Sequence, residues 1–450
     1  MVESPRPRAV REHPKAGWLA VGTVCFGAFM GQLDASIVTL TFPALQHEFA
    51  TPLAAVQWVS LAYLLTLVGL VTVAGRVADA LGRKLVYGYG FALFTLASAA
   101  CGLAPGLGWL IGFRVLQALG AAMLQANSVA LVVTSVRRDQ ARTALGIQAA
   151  AQALGLALGP ALGGLLVGTV GWRWVFWVNV PIGCLALLAG RFLLPRTREH
   201  TPLGRFDWPG LGLLLLTTTS VLLLLSGFSG LSLPAPAVVA LAAGFVAGAV
   251  LLFLAERRSA NPLVDLSVLR PRAVSAGLAG ALCGYLVLFG PLTLFPQVLG
   301  THAGLVLTAL PAGFALAALT AGKVLPPGWP VRARAALGAG ISALGVGSLL
   351  FAGTAPLAAG MLLALTGIGL GVFIPANNAA IMAAIPRRMS ATGGGLVNMA
   401  RGLGTALGIA LVTFCLNLGS GRWGALGAMA GTAVLMGLTG LLLRPASANR

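Results

Sequence analysis

One carboxylate in this chain sits where a carboxylate is expensive. In GQLDASIVTL, residues 31–40, Asp34 ends a long apolar run and is followed by Ile37, Val38 and Leu40. An ionised Asp at the centre of a membrane helix costs roughly 2.5–3.5 kcal/mol on insertion scales, so such a residue reads as functional by default. The other nine acids (Glu3, Glu12, Glu48, Asp79, Asp139, Glu199, Asp207, Glu256 and Asp265) fall in tails or connections, and so do all four His. No second acid or His stands beside Asp34 to make an acid/base pair or a metal site. A membrane-embedded hydrolase or metalloenzyme is therefore disfavoured, and neither enzymatic activity nor a metal or cofactor is expected. A lone buried acid can instead exchange a proton, so the energy source expected is a proton gradient.

Its expected counter-charge is Arg114. At 1.5 Å per residue, Asp34 lies roughly 13 Å below the outer end of its helix and Arg114 roughly 10 Å below the outer end of another, so the two can offset each other's desolvation. A change in that pairing, or entry of a cationic ligand, would switch the protonation of Asp34. Gln117, Gln125 and Ser128 continue a polar stripe from Arg114 at helical spacing. Gln148, Gln152, Asn398 and Arg401 extend the theme. Gln152 and Arg401 fall near mid-depth, where transporters of repeated topology bind substrate. We take Gln117, Gln148, Gln152, Asn398 and Arg401 as candidate cavity residues. For a single amide, a helix–helix hydrogen bond is the competing role. The sign of the substrate's charge stays open, because Asp34 attracts cations whereas Arg114 and Arg401 make the buried total positive.

The elements that must position these groups are long apolar helices. The chain has 450 residues, 58% hydrophobic and 9% charged, with mean hydropathy +0.93; a soluble domain carries about 25% charged residues. Fourteen apolar runs of spanning length are expected at 17–43, 54–74, 85–104, 107–133, 142–168, 174–194, 208–228, 235–255, 273–298, 303–324, 333–352, 355–379, 391–415 and 423–443, each near the ~20 residues a bilayer requires. The first 16 residues are polar and basic and the run after them is long enough to span, so no cleavable signal is expected.

The net charge of +19 does not mark a nucleic-acid binder, because Lys and Arg sit in short segments between the apolar runs rather than clustering with aromatics on one face. With both termini cytoplasmic, 25 of the 29 fall inside, two (Arg173 and Arg422) outside and two (Arg114 and Arg401) within spans. This is the positive-inside asymmetry. Twenty-six of the 29 are Arg, which suggests a GC-rich genome, and the five Cys are scattered singly as reduced packing residues. Location in a bacterial inner membrane, contact with lipid and small molecules, a monomeric state and no nucleic-acid partner are expected.

An internal repeat organises the spans. ANSVALVVTSVRRDQA (126–141) aligns without gaps on ANNAAIMAAIPRRMSA (376–391), with Asn127/Asn377, Ala130/Ala380, Arg137/Arg387 and Arg138/Arg388 identical. The offset of 250 residues equals eight spans and keeps orientation, so the repeat is parallel. The expected division is a cytoplasmic tail 1–16, a six-helix bundle 17–197, a linker with two inserted spans 198–272, a second six-helix bundle 273–443 and a tail 444–450.

These motifs resemble the major facilitator superfamily, in particular its fourteen-helix drug:proton antiporter branch. LDASIVTLTFPAL (33–45) is similar to the branch's first-helix motif, with Asp34 at its acidic position. GRVADALGRK (75–84) resembles the superfamily's loop motif, RVLQALGAA (114–122) its fourth-helix motif with Arg114 as the basic residue, and WRWVFWVNVPIG (172–183) a signature leading into the sixth span. GLALGPALGG (155–164) is similar to the antiporter motif at Gly155, Gly159, Pro160, Gly163 and Gly164. The second half adds only NMARGLGTALG (398–408). The resemblance implies two bundles rocking by alternating access, proton coupling through Asp34 and Arg114, and a cytoplasmic gate at Gly75, Asp79, Gly82 and Arg83.

Within that gate, Gly75 and Gly82 are expected to permit a tight turn, with Asp79 and Arg83 pairing four residues apart. The glycines of 155–164 remove bulk from one helix face while Pro160 loosens a backbone bond. Trp172, Trp174 and Trp177 are expected in an outer interfacial belt. Ala80 stands where a basic residue is common, and the second-half loop GKVLPP (322–327) carries no acid, so the charge network is thin. Export of lipophilic drugs or antibiotics is the function implied. A proton symporter or importer on the same fold, and a non-transporting membrane receptor, are the alternatives.

Overall fold

The computed structural model describes residues 7, 12–197, 207–258, 268–300, 303–326, 328–351, 355–385 and 390–443. Most of the expected N-terminal tail, Arg198 and Arg205 of the linker, Arg387 and Arg388 of the repeat, and the tail 444–450 lie outside them. Among the described residues there are helices and no strands.

Each expected apolar run is helical. The first run is α1 (Ala16–Ile37), a 3₁₀ turn Val38–Thr41 and α2 (Phe42–Phe49). The second is the short α3 (Leu53–Val56) and α4 (Trp58–Leu81). Then come α5 (Arg83–Gly102), α6 (Leu107–Ser135), α7 (Ala141–Thr169), α8 (Trp174–Trp177) and α9 (Asn179–Leu193). The inserted pair is α10 (Trp208–Phe228) and α11 (Ala235–Arg258). The remainder is α12 (Arg272–Leu299), α13 (Ala303–Val324), α14 (Val331–Leu349), α15 (Pro356–Ala384), α16 (Ser390–Asn417) and α17 (Gly421–Leu441).

By length and composition, 13 helices among the described residues can cross a membrane. The run expected at 333–352 is the one left out. It forms α14, of 19 residues, whose first turn carries Arg332 and Arg334. The repeat is visible in the helices themselves: α6 and α15 each have 29 residues and start 249 positions apart. Asn127 and Asn377, aligned in sequence, are both fully buried and donate to carbonyls, of Met123 and Gly277 respectively.

Two compact units result: Met1–Phe49 with Trp58–Arg205, and Ala50–Gln57 with Phe206–Arg450. In the first, α7 packs along α1, and α6 packs on α4 and α5. The second holds α12–α17 together with the inserted pair, α10 and α11 packing on each other and α10 also on α16. It also takes in α3, because Gln57 Nε2 donates to Ser226 Oγ of α10 at 2.9 Å. Only 6% of the apolar window of α11 is buried by protein, so this helix, apolar all round, is covered by lipid.

Candidate functional site

Asp34 is held by donors on two helices of the first unit, which bond in turn to two more. In α1 the chain stays α-helical to Ile37 and then tightens into the 3₁₀ turn ahead of Pro43, which cannot donate a helical hydrogen bond. The hydroxyls around the turn bond to their own helix: Ser36 to Gln32 O at 3.1 Å, Thr39 to Ser36 O at 3.1 Å and Thr41 to Val38 O at 2.7 Å. Asp34 is left to find partners on other helices.

Arg114 of α6 donates from Nη1 to Asp34 Oδ2 at 2.6 Å, and the two side chains are 1% and 0% exposed. Its Nε donates to the Val59 carbonyl of α4 at 3.0 Å, and its guanidinium lies 4.0 Å from the Tyr63 ring centroid. One turn on, Gln117 Nε2 donates to Asp34 Oδ1 at 2.9 Å and to Ser98 Oγ of α5 at 2.7 Å, while its Oε1 accepts from Arg114 at 2.6 Å. Asn179, at the start of α9, donates to Asp34 Oδ1 at 3.3 Å. All three partners of Asp34 donate, which is the geometry of a carboxylate rather than of a carboxylic acid. Buried ion pairs survive only where additional hydrogen bonds satisfy the remaining lone pairs, and that is the arrangement here.

The glycine-rich face of α7 lies directly behind this cluster. A Cβ at Gly155 would run into the Phe29 carbonyl, one at Gly159 into the Ser36 hydroxyl, and one at Gly163 would come within 2.9 Å of Ile37 Cγ1. These three glycines therefore let α7 lie against the segment of α1 that carries Asp34. Pro160 is buried inside α7, whereas Gly164 is half-buried.

At the cluster 75–84, Asp79 Oδ1 and Arg83 Nε pair at 2.9 Å, with side chains 43% and 34% exposed. Gly82, at φ 110°, makes the turn into α5 in a region that side chains rarely adopt. Gly75 corrects an expectation: it belongs to helix, not turn, because α4 runs on to Leu81, and a Cβ there would lie 3.8 Å from Ala126. One member of the expected tryptophan belt is corrected as well. Trp172 is buried, donates to Glu48 Oε2 at 2.5 Å and packs edge-on to Phe49 and Phe176. Beside it, Arg173 pairs with Glu48 at 2.8 Å. Trp174 is exposed.

The expected cavity residues divide. Gln117 belongs to the Asp34 cluster. Gln148 is buried with its Nε2 unpartnered, and Gln152, one turn on, is half-buried. Asn398 and Arg401 belong to the second unit, where Arg401 Nη1 donates to Asn398 Oδ1 at 3.3 Å. Tyr63, Ser98 and Asn179 were not anticipated. Asn179 had a signal, an amide inside the apolar WRWVFWVNVPIG. Tyr63 had none, because an aromatic in an apolar helix reads as core.

The chain resembles known proteins over nearly its whole length. A family model described as Major Facilitator Superfamily matches residues 24–409. The riboflavin transporter RibZ of Clostridioides difficile is 30% identical over 88% of this chain and 87% of its own. The multidrug resistance protein Stp of Mycobacterium tuberculosis is 29% identical over 86% and 73%. The probable actinorhodin transporter of Streptomyces coelicolor is 30% identical over 93% and 74%. Among solved structures, a POT peptide transporter with sulfate superposes with a TM-score of 0.70 at 18% identity, covering 97% of this chain and 96% of that one. The xylose transporter XylE of Escherichia coli, in an inward open conformation, gives 0.65 at 13% identity over 93% and 95%. These two speak to the fold alone. The protein is a multi-pass transporter of the bacterial inner membrane, and it belongs to the Major Facilitator Superfamily, on the branch that holds multidrug and antibiotic exporters.

Proposed function

We propose that this protein exports lipophilic drugs or antibiotics in exchange for protons, by alternating access, with Asp34 as the proton-carrying group. The observation that carries the reading is that Arg114, Gln117 and Asn179 are all donors to Asp34. A proton joining that carboxylate removes the charge that holds Arg114 beside it. Arg114 and Gln117 ride on α6 and Asn179 on α9, so proton uptake is tied to displacement of these helices against α1. Packing without side chains between α1 and α7 suits such sliding.

In the cycle, protons arriving from outside neutralise Asp34 and favour release of substrate. Loss of the proton toward the cytosol restores the ion pair. One charge crossing 100 mV supplies about 2.3 kcal/mol, enough for modest accumulation against a gradient. Gln148, with an amide donor free for a ligand, is the substrate contact favoured in the first unit.

The kinship with the riboflavin transporter supports a second reading, uptake of a nutrient on the same fold. Direction of transport separates the two. Everted vesicles should accumulate a fluorescent amphiphile when energised, and a protonophore should abolish the uptake. Asp34→Asn should lose gradient-driven transport while inserting normally. Uptake by that variant equal to the parent's would remove Asp34 from the coupling, and accumulation only in right-side-out vesicles would favour the importer.

A further inference from the structure

We infer that Arg401 forms an anion subsite in the second unit, so that the preferred substrates are lipophilic organic anions carrying a carboxylate, phenolate or similar oxyanion. This rests on the transport reading and adds the sign of the substrate's charge to it.

Arg401 is the twelfth of 28 residues in α16, and Tyr285 the fourteenth of 28 in α12. Arg401 therefore sits roughly 17 Å from the nearer end of a helix roughly 42 Å long, at membrane mid-depth. A charged Arg there is costly unless it is compensated. The sequence offers no compensation: no Asp or Glu occurs anywhere after Asp265, so α12–α17 contain no acid at all. Asp34, the acid placed deepest in a spanning helix, is already held by Arg114.

What surrounds Arg401 orients it without neutralising it. The guanidinium lies 4.7 Å from the Tyr285 ring centroid, and Tyr285 in turn stacks on Phe289 at 6.4 Å. Asn398 Oδ1 accepts from Nη1. One face of the guanidinium is thus backed by an aromatic and one donor is used, while the side chain stays half-buried rather than sealed. A guanidinium has five N–H donors in a planar fork that matches an oxyanion in bidentate fashion. The missing partner is a negative charge that arrives and leaves, which is what a substrate supplies. Lipid headgroups share the anionic chemistry, but they reside at the helix ends rather than at mid-depth.

The test uses the purified full-length protein and two matched probes, resorufin (a planar phenolate) and its neutral methyl ether. Binding is read by tryptophan quenching at fixed pH in nanodiscs of phosphatidylcholine. The parent should bind resorufin at least tenfold more tightly than the ether. Arg401→Gln should erase that preference by weakening resorufin alone, and Arg401→Lys should keep part of it. Equal affinity of the parent for both probes overturns the subsite, and this needs no variant. An Arg401→Gln variant that keeps the preference, or weakens both probes alike, also overturns it. Repeating the titration in phosphatidylglycerol nanodiscs separates the two anion sources: resorufin binding lost there would assign Arg401 to lipid and overturn the substrate role. No gradient is present, so coupling through Asp34 can fail in vesicles while this result stands, and the reverse.

Discussion

Arg114 in the first unit and Arg401 in the second are the two arginines placed farthest from the ends of their spanning helices, and they are treated in opposite ways. Arg114 is sealed, with a carboxylate, an amide oxygen and a backbone carbonyl accepting its hydrogens and Tyr63 against its face. Arg401 has an aromatic against its face and one amide oxygen, in a six-helix bundle, α12–α17, that contains no acid. The two halves carry these arginines at positions the repeat does not relate, Arg114 facing Ala364 and Arg401 facing Ala151 at the offset of 250, with a charge pair in one half and an uncompensated charge in the other. The difference divides the labour: an internal counter-ion suits proton exchange, and an absent one suits a ligand that brings its own charge.

The comparison breaks first at Arg114. Arg114→Ala removes one partner of a buried pair and leaves Asp34 uncompensated, which should cost about 3–5 kcal/mol. Thermal denaturation of the detergent-solubilised protein should show the lowest midpoint of any variant considered, with gradient-driven transport lost. A midpoint equal to the parent's would mean that the pair contributes nothing to the fold. Gly159→Val tests the neighbouring helix contact. Its side chain would meet Ser36 two residues beyond Asp34, and overpacking of this kind costs typically about 1–3 kcal/mol. Stability should fall less than in Arg114→Ala while transport falls as far, because sliding of α7 on α1 is obstructed. Transport retained with stability lost would assign the glycines to packing alone.

Much of this contrast is legible in residue types and helical rise. Asp34 and Arg114 come out at matching depth from counting residues along two spans, and the structure joins them at 2.6 Å. The acid-free second half is plain from the letters. What is not legible depends on groups without a polar signature. The Val59 carbonyl is a backbone atom that every residue possesses, and Tyr63 looks like any core aromatic until a guanidinium is laid on it. Gly75 is misplaced into the turn because glycine serves turns and close helix packing equally well, and only the continuation of α4 to Leu81 decides between them. Trp172 fits the interfacial pattern, yet its N–H is taken by Glu48, more than a hundred residues away.

Arg401 should behave unlike Arg114 when its charge is removed. Arg401→Gln forfeits a cation–π contact worth about 0.5–2 kcal/mol but also relieves an uncompensated charge in the membrane. The two effects oppose each other, so the net loss in stability should stay within about 1 kcal/mol. Denaturation of Arg114→Gln and Arg401→Gln side by side would then give a large drop for the first and a small one for the second. Equal drops would show that Arg401 has a counter-ion after all and would erase the distinction between the units.

The smallest effect belongs to the other Asp–Arg pair of the first unit. Asp79 and Arg83 have the same chemistry as Asp34 and Arg114 and a comparable separation of 2.9 Å, but both are more than a third exposed. Water already solvates each partner, and exposed pairs of this spacing contribute about 0.3–0.5 kcal/mol. Asp79→Asn should therefore leave the thermal midpoint nearly unchanged, and raising salt to 1 M should remove what difference remains. If transport falls in Asp79→Asn while stability holds, the residue acts in the conformational cycle. That outcome would extend the use of Asp–Arg chemistry from the sealed core of the unit to its edge.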